Sequence, residues 1–242
     1  MTLLLWKALL SRQFSNNSNS FYFKPLRTYS NFTPYQNNGG TVISINSKNF
    51  ALLASDTRII SGFSIPSRNT IRILKISHNI LLSTSGMRAD MLILQEEYKK
   101  AVNIWETENQ KHISITNGAY LLSSILYSRR FFPYYTFNII TGKDFKGATK
   151  SFSFDAIGSF ESCSATSSGS GQHFIQPILD GQLQLISQEK KCVKHEILKN
   201  LIMVKFLFLK ASKRNIEIGD GIQIFVFTKK GILVENSILR CD

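Results

Sequence analysis

The 242-residue chain is short of several things, and each shortage removes a class of function. Its first fifty-five residues contain no Asp or Glu at all, and charged residues make up only 19% of the whole. Cysteines number three, Cys163, Cys192 and Cys241, widely separated and without a CxxC pair. The four histidines (His78, His112, His173, His195) show no ligand spacing. A zinc site or a disulfide framework is therefore not expected, and neither metal nor cofactor is implied; a reducing compartment is the expectation. No apolar run is long and uninterrupted enough to span a bilayer, so no membrane role is expected. The glycine-rich stretch "SSGSG" (167–171) is followed by no GxxxxGK[ST] pattern and lacks GxSxG spacing. It reads as the turn into a helix, with Ser170 near its start.

What the chain does have is 43% hydrophobic residues, eighteen of them Phe, and a formal net charge of +13. That is enough apolar material for one full domain. The basic excess admits a nucleic-acid partner, but lysines come in scattered pairs such as Lys99-Lys100 and Lys190-Lys191, not in a dense run among aromatics. No nucleic-acid role is expected. "MTLLLWKALLSRQF" and the Ser/Asn-rich stretch after it have the look of a presequence. Residues 1–30 are read as an N-terminal extension, a propeptide or a disordered lead, and residues 31–242 as the domain.

Within the domain the hydrophobic period alternates between two and about 3.6. "TVISINSKNFALLASDTR" (41–58) and "NTIRILKISHNILLSTSG" (69–86) read as successive hairpins, with Ile71, Ile73 and Ile76 in the strand and His78-Asn79 at the turn. Met91, Leu94, Tyr98, Val102 and Trp105 step by three or four, predicting a helix over 87–109. Ser114 or Thr116 caps a second helix that Pro133 cannot continue. Strand patterns return at 135–144 and 147–160. A third helix follows "SSGSGQ", with Pro177 at its kink or end. A fourth carries Val193, Ile197, Leu201, Val204, Phe208 and Ala211 on its inner stripe. Its other faces (Ile202, Phe206, Leu209) are also apolar, so it should be covered on both sides. "GIQIFVFTKKGILVENS" closes the chain as a hairpin. Strands, two helices, strands, two helices, strands is the order of an α+β protein, most simply a four-layer αββα sandwich.

Several strings carry a resemblance: "NGGT" (38–41), "ASDTR" (54–58), "GFSI" (62–65), "ILYSRRFFPYY" (125–135), "SFDAIGS" (153–159), "QPILD" (176–180) and Gly219-Asp220. From about Phe32 onward the chain resembles the beta subunits of the 20S proteasome, which have the N-terminal-nucleophile hydrolase fold. The resemblance implies a place among other alpha and beta subunits in a twenty-eight-subunit, four-ring particle, in cytoplasm and nucleus. Active members, as the resemblance has it, use an N-terminal Thr, an Asp in a DSR/DTR motif, a Lys on the next hairpin, a Ser in GSG, and a later Asp and Ser.

Here Asp56 and Arg58 match the first motif and Ser170-Gly171 the GSG. Arg72 falls at the lysine, Asn215 at the later Asp and Ile218 at the later Ser. Counting back from Asp56, the nucleophile's place falls on Gly40, or on Gly39 if the hairpin is one residue longer. Arg cannot exchange a proton as a compact ammonium does, Asn carries no charge, and Ile has no hydroxyl. The implied reading is a catalytically silent subunit with no catalytic residue, Thr41 being a strand residue. The alternative is an active threonine-type endopeptidase processed at Gly40-Thr41. Asp56 is expected to pair with Arg58, and Phe131, Phe132, Tyr134 and Tyr135 are expected in the core.

Overall fold

The computed structural model of the chain describes residues 33–47, 49–145, 147–186, 193–228 and 231–239. The expected extension over 1–30 lies outside them, as do Cys192, Cys241 and the side chain of Val193. By its contacts the chain divides into Met1–Pro34 and Tyr35–Asp242, and the fold is that of the second unit.

The first hairpin forms as its alternation predicts, with β1 (Thr41–Asn46) antiparallel to β2 (Ala51–Asp56) and Val42 opposite Ser55. Both faces of both strands are buried. Ile43, Ile45, Leu52 and Ala54 point into a core shared with helices, while Val42, Ala51 and Leu53 point into a second core. The short hairpin β3 (Ile59–Ser61) and β4 (Ser64–Ser67) follows, turning at Gly62. Then come β5 (Ile73–Ser77) and β6 (Ile80–Gly86). Ile71, expected in this strand, precedes it and is exposed.

Helix α1 (Arg88–Asn109) buries Met91, Leu94, Tyr98 and Val102, the predicted stripe. Helix α2 (Ile115–Ser128) starts at Ser114, whose hydroxyl accepts the Asn117 N–H at 3.2 Å. Strands β7 (Thr136–Lys143), β8 (Thr149–Phe154) and β9 (Phe160–Ser162) complete a sheet in the order β5-β6-β7-β8-β9. Strand β10 (Ala165–Gly169) leads to α3 (Gln172–Ile186) and α4 (Val193–Ser212), then β11 (Gly221–Thr228) and β12 (Gly231–Ile238). The second sheet is ordered β10-β1-β2-β11-β12.

Three apolar layers hold these elements. One lies between the second sheet and α3/α4, with Ile175, Leu179, Val204 and Phe208 from the helices. One lies between the first sheet and α1/α2. The third lies between the sheets, built from Val42, Leu53, Ile73, Leu81, Ile139 and Phe227. Each fully buried aliphatic side chain contributes about 1.5–3 kcal/mol by leaving water. The third layer also holds a closed hydroxyl group: Ser44 Oγ donates to Ser151 Oγ at 2.9 Å, and Thr141 Oγ1 lies 3.1 and 3.2 Å from the two. The three hydroxyls satisfy one another. The αββα sandwich expected from the sequence is the observed architecture.

Pro177 sits inside α3, which runs on to Ile186, so of its two expected places it is not the helix end. Three other expectations need correction. Strand β10, "ATSSG", has too few large apolar residues to read as a strand, yet it pairs along β1 with Thr41 opposite Gly169. On α4, Ile202 is 68% exposed, and Phe206 and Leu209 are also open to solvent; nothing among the described residues covers that face. In the aromatic string only Tyr134 is core, because Phe131 is 87% and Phe132 62% exposed.

Candidate functional site

The residues singled out in the sequence converge where β1, β2, β10 and the 214–220 segment meet. β1 and β2 end side by side, so Thr41 lies across from Asp56. The Thr41 backbone N–H donates to Asp56 Oδ1 at 2.8 Å. The Thr41 hydroxyl is fully buried; it accepts the Gly171 N–H at 2.9 Å and lies 3.4 Å from Ser170 Oγ. Ser170 in turn donates its N–H to the Gly40 carbonyl at 3.0 Å. Ser170 thus fastens the entry of β1 instead of capping α3. A side chain at Gly171 would have its Cβ 2.6 Å from Ile218 Cδ1 and 2.7 Å from Thr41 Oγ1, so only glycine fits this crossing.

Arg72 closes the site from the other side. Its side chain is 1% exposed, and its Nε stands 3.2 Å from Asp56 Oδ1. Its Nη2 donates to the Arg58 carbonyl. Gly40 adopts φ +97°, and a Cβ built there would overlap the Arg72 guanidinium. Of the two glycines expected at the nucleophile's place, Gly40 is therefore the one that faces Arg72, and the guanidinium fills the volume a side chain would need. Gly39, at φ +67°, faces Glu217 Cβ and Ile60 Cγ1 instead.

Asp56 is completely buried, and its Oδ2 has no hydrogen-bond partner among the described residues. Burial pushes its carboxyl up to about 6, against the opposing pull of Arg72 and of the Thr41 N–H. The expected Asp56–Arg58 pair is not made. Arg58 grips Asp220 instead, Nε to Oδ2 at 2.8 Å and Nη2 to Oδ1 at 3.1 Å, and donates Nη1 to the Ile216 carbonyl at 2.9 Å. Gly219 permits this, since a Cβ there would overlap the Arg58 guanidinium. Arg68 adds a bond to Asp220 Oδ1 at 2.6 Å, and the two cations hold the Asp220 carboxyl below its ordinary value despite its burial. The ion pairs interchange relative to the sequence expectation: Asp56 with Arg72, Arg58 with Asp220.

Asn215 and Ile218 do reach the site. Asn215 Nδ2 donates to the Ser170 carbonyl at 3.2 Å, and its Oδ1 accepts the Glu217 N–H at 2.9 Å. Ile218 is buried in the helix-side core. Both side chains are engaged in holding the segment in place.

The sequence reading missed Asn38 and Arg88. Residues Tyr35–Gly40 form a strap across the mouth of the site, anchored where Tyr35 Oη donates to the Pro133 carbonyl at 2.8 Å and stacks on Phe132. Asn38 Nδ2 donates to the Ile60 carbonyl at 2.9 Å, and its Oδ1 accepts the Arg88 N–H at 2.8 Å. It thereby serves the first turn of α1, which has no side-chain cap of its own from Met87. Asn residues before Gly-Gly read as turn formers, and nothing in the local pattern distinguishes this one. Beside the strap is a cavity of about 230 Å³ lined by Asn37, Tyr135, Phe137, Ser170, Gln172 and His173, among others. Among the described residues no three His, Cys, Asp or Glu side chains are grouped as metal ligands, and no helix is long and apolar enough to cross a membrane.

Comparison with known proteins agrees with this architecture. A family model described as "Proteasome subunit" matches residues 36–219. The chain is 36% identical over 221 residues to proteasome subunit beta type-1 of Arabidopsis thaliana, covering 89% of this chain and 99% of that one. It is 38% identical over 216 residues to the beta type-1 subunit of Danio rerio, covering 87% and 90%. To proteasome subunit beta type-6 of Saccharomyces cerevisiae it is 36% identical over 221 residues, covering 87% and 92%. With the matched segment running from the strap to the turn before β11, well over half of the chain, the chain belongs to the proteasome subunit family.

Proposed function

We propose that the chain is a non-catalytic beta subunit of a 20S proteasome core particle, with a structural part in building the beta ring and so in ubiquitin-dependent protein degradation. The observation that carries this is the Arg72 guanidinium standing in the space beside Gly40. A nucleophile there has no room for its Cβ, and the group in the lysine's place cannot act as a proton carrier at neutral pH. Thr41 offers no replacement. Its nitrogen is a peptide N–H held by Asp56, and its buried hydroxyl is occupied by Gly171. Asn215 and Ile218 supply neither the charge nor the hydroxyl that an activated threonine needs.

The partners on this reading are the other alpha and beta subunits of a twenty-eight-chain, four-ring particle, in which the chain takes the sixth beta position. The exposed apolar side chains of α4 and the exposed Phe131 and Phe132 support such contacts, since contiguous apolar surface of this kind marks protein interfaces. Cytoplasm and nucleus are the proposed locations. Native purification followed by mass spectrometry of the intact assembly tests the proposal. Recovery in a particle of that subunit number is expected, and recovery of the chain as a stable lone monomer would overturn it.

A further inference from the structure

At the strand ends remote from Thr41 stands a second group of charged side chains, which the silent site does not use. Strand β6 pairs along β7 from Gly86 opposite Thr136 to Ile80 opposite Gly142. The Gly86 end adjoins the strap, where its N–H donates to the Gly39 carbonyl at 3.4 Å. At the Ile80 end is an open recess of about 490 Å³, lined by Asn79, Lys111, His112, Lys143, Asp144 and Phe145, among others. Its walls are the β5–β6 turn, the α1–α2 connection and the β7–β8 turn. The frame is tight: the Lys143 N–H donates to the Asn79 carbonyl at 3.0 Å, and a Cβ on Gly142 would come 2.2 Å from that oxygen.

The carboxylates around the recess are already engaged. Asp144 Oδ1 accepts the Phe145 N–H at 2.9 Å, and its Oδ2 lies 3.5 Å from Lys150 Nζ. Glu106 Oε1 accepts the Ser77 hydroxyl at 2.6 Å and the Ile113 N–H at 3.0 Å, and lies 3.5 Å from His112 Nδ1. Holding the His112 ring by Nδ1 leaves Nε2 for the recess, and the His78 ring stands beside it at 5.7 Å between centroids. The two lysines are not neutralised. Lys143 Nζ donates to the Thr228 carbonyl, a neutral acceptor, and so keeps two N–H donors and its whole charge. Lys111 is exposed, with no carboxylate partner among the described residues. Two compact ammonium charges with an imidazole and an amide beside them suit a phosphate, whose oxygens accept from several directions at once. Phe145, 65% exposed, offers its ring to whatever the phosphate carries. A recess of this volume is in the range of small-molecule sites.

We propose that this recess binds a small organic phosphate, with Lys111 and Lys143 on the phosphate group and Phe145 against the organic body. The site is separate from the silent one and does not depend on the structural-subunit reading. AMP is the probe: native particles are photolabelled with an azido derivative of AMP, and the label is mapped by peptide mass spectrometry. Label is expected on this chain at the β5–β6 turn, the α1–α2 connection or the β7–β8 turn. AMP should displace it at a concentration at least about fivefold below that of inorganic phosphate, since stacking on an aromatic ring adds affinity. Lys111→Gln with Lys143→Gln removes two charge-assisted contacts and should lower labelling by about tenfold or more. Lys99→Gln with Lys213→Gln removes the same charge from exposed positions elsewhere and should leave labelling unchanged. No label at these three places, an equal loss in the two double variants, or inorganic phosphate competing as well as AMP overturns the proposal.

Discussion

Replacing Arg72 by Ala removes the cation that touches Asp56 directly, and the size and pH dependence of the loss follow from the geometry. Asp56 is fully buried with its carboxyl raised to about 6. For an acid raised above its unfolded value, the contribution to stability is fully present below the unfolded pKa and is lost as pH rises through the folded one. In the native chain that window runs from about 4 to about 6, and keeping Asp56 ionised above it costs about 3 kcal/mol. Without Arg72 the folded pKa moves higher still, and the carboxyl escapes by staying protonated. The extra electrostatic cost is therefore capped by the cost of protonation, about 1.4 kcal/mol for each pH unit above 6. It is close to zero at pH 5, at most about 1.4 kcal/mol at pH 7 and at most about 2.7 kcal/mol at pH 8. The lost hydrogen bond from the charged guanidinium to the Arg58 carbonyl adds about 1.5–3 kcal/mol that does not depend on pH. Urea unfolding of the full chain, followed by circular dichroism at pH 5 and pH 8, reads the difference. The Arg72→Ala penalty should be larger at pH 8 than at pH 5. Equal penalties would refute the account of Asp56 as a buried carboxylate held ionised by Arg72.

Three further outcomes are expected. Gly40→Thr should be destabilising by several kcal/mol, from the positive φ and the overlap with Arg72, and should be partly relieved by Arg72→Ala; a double-mutant cycle in urea should show coupling of about 1 kcal/mol or more. Asp220→Ala removes the two charged hydrogen bonds that Arg58 makes to this carboxylate and should cost about 3 kcal/mol at pH 7. The Asp220 carboxyl is held below its ordinary value, so this loss should shrink as pH falls through that lowered pKa, which acid-range unfolding curves would show. Ile202→Asp on the open face of α4 should change the chain's own stability by no more than about 0.5 kcal/mol. It should nevertheless reduce incorporation into the particle, measured by native electrophoresis of co-expressed subunits.

The helices were legible because one face is apolar and the other is not, so the stripes of α1 and α2 carry a period that survives folding. The β1–β2 and β5–β6 hairpins were legible as pairs of short apolar runs broken by a turn, although β1, β2 and β6 are buried on both faces. β10 was not legible because its residues are small hydroxyls: they are buried by the crowding of β1 against it and not by their own hydrophobicity. The exposed Phe131, Phe132, Ile202 and Phe206 have the composition of core. Composition records that a side chain leaves water and is silent on whether its own chain or another covers it. At the site, the three departures Arg72, Asn215 and Ile218 were legible as residue types, and they do converge with Thr41 and Ser170. The ion-pair partners were not legible, because Asp56 and Arg58 are neighbours in sequence while β2 ends between them and the chain turns Arg58 toward Asp220. The strap was invisible for a similar reason, since its bonds run to Ile60, Gly86, Arg88 and Ser170, all distant in sequence.

The central claim is that no free threonine amine exists at the head of β1. Intact-mass and N-terminal analysis of the subunit recovered from its native particle, after treatment with an electrophile selective for N-terminal threonine, tests it most directly. The account predicts a chain that retains the Gly40-Thr41 peptide bond and carries no label. A chain beginning at Thr41 and modified by the electrophile would contradict it.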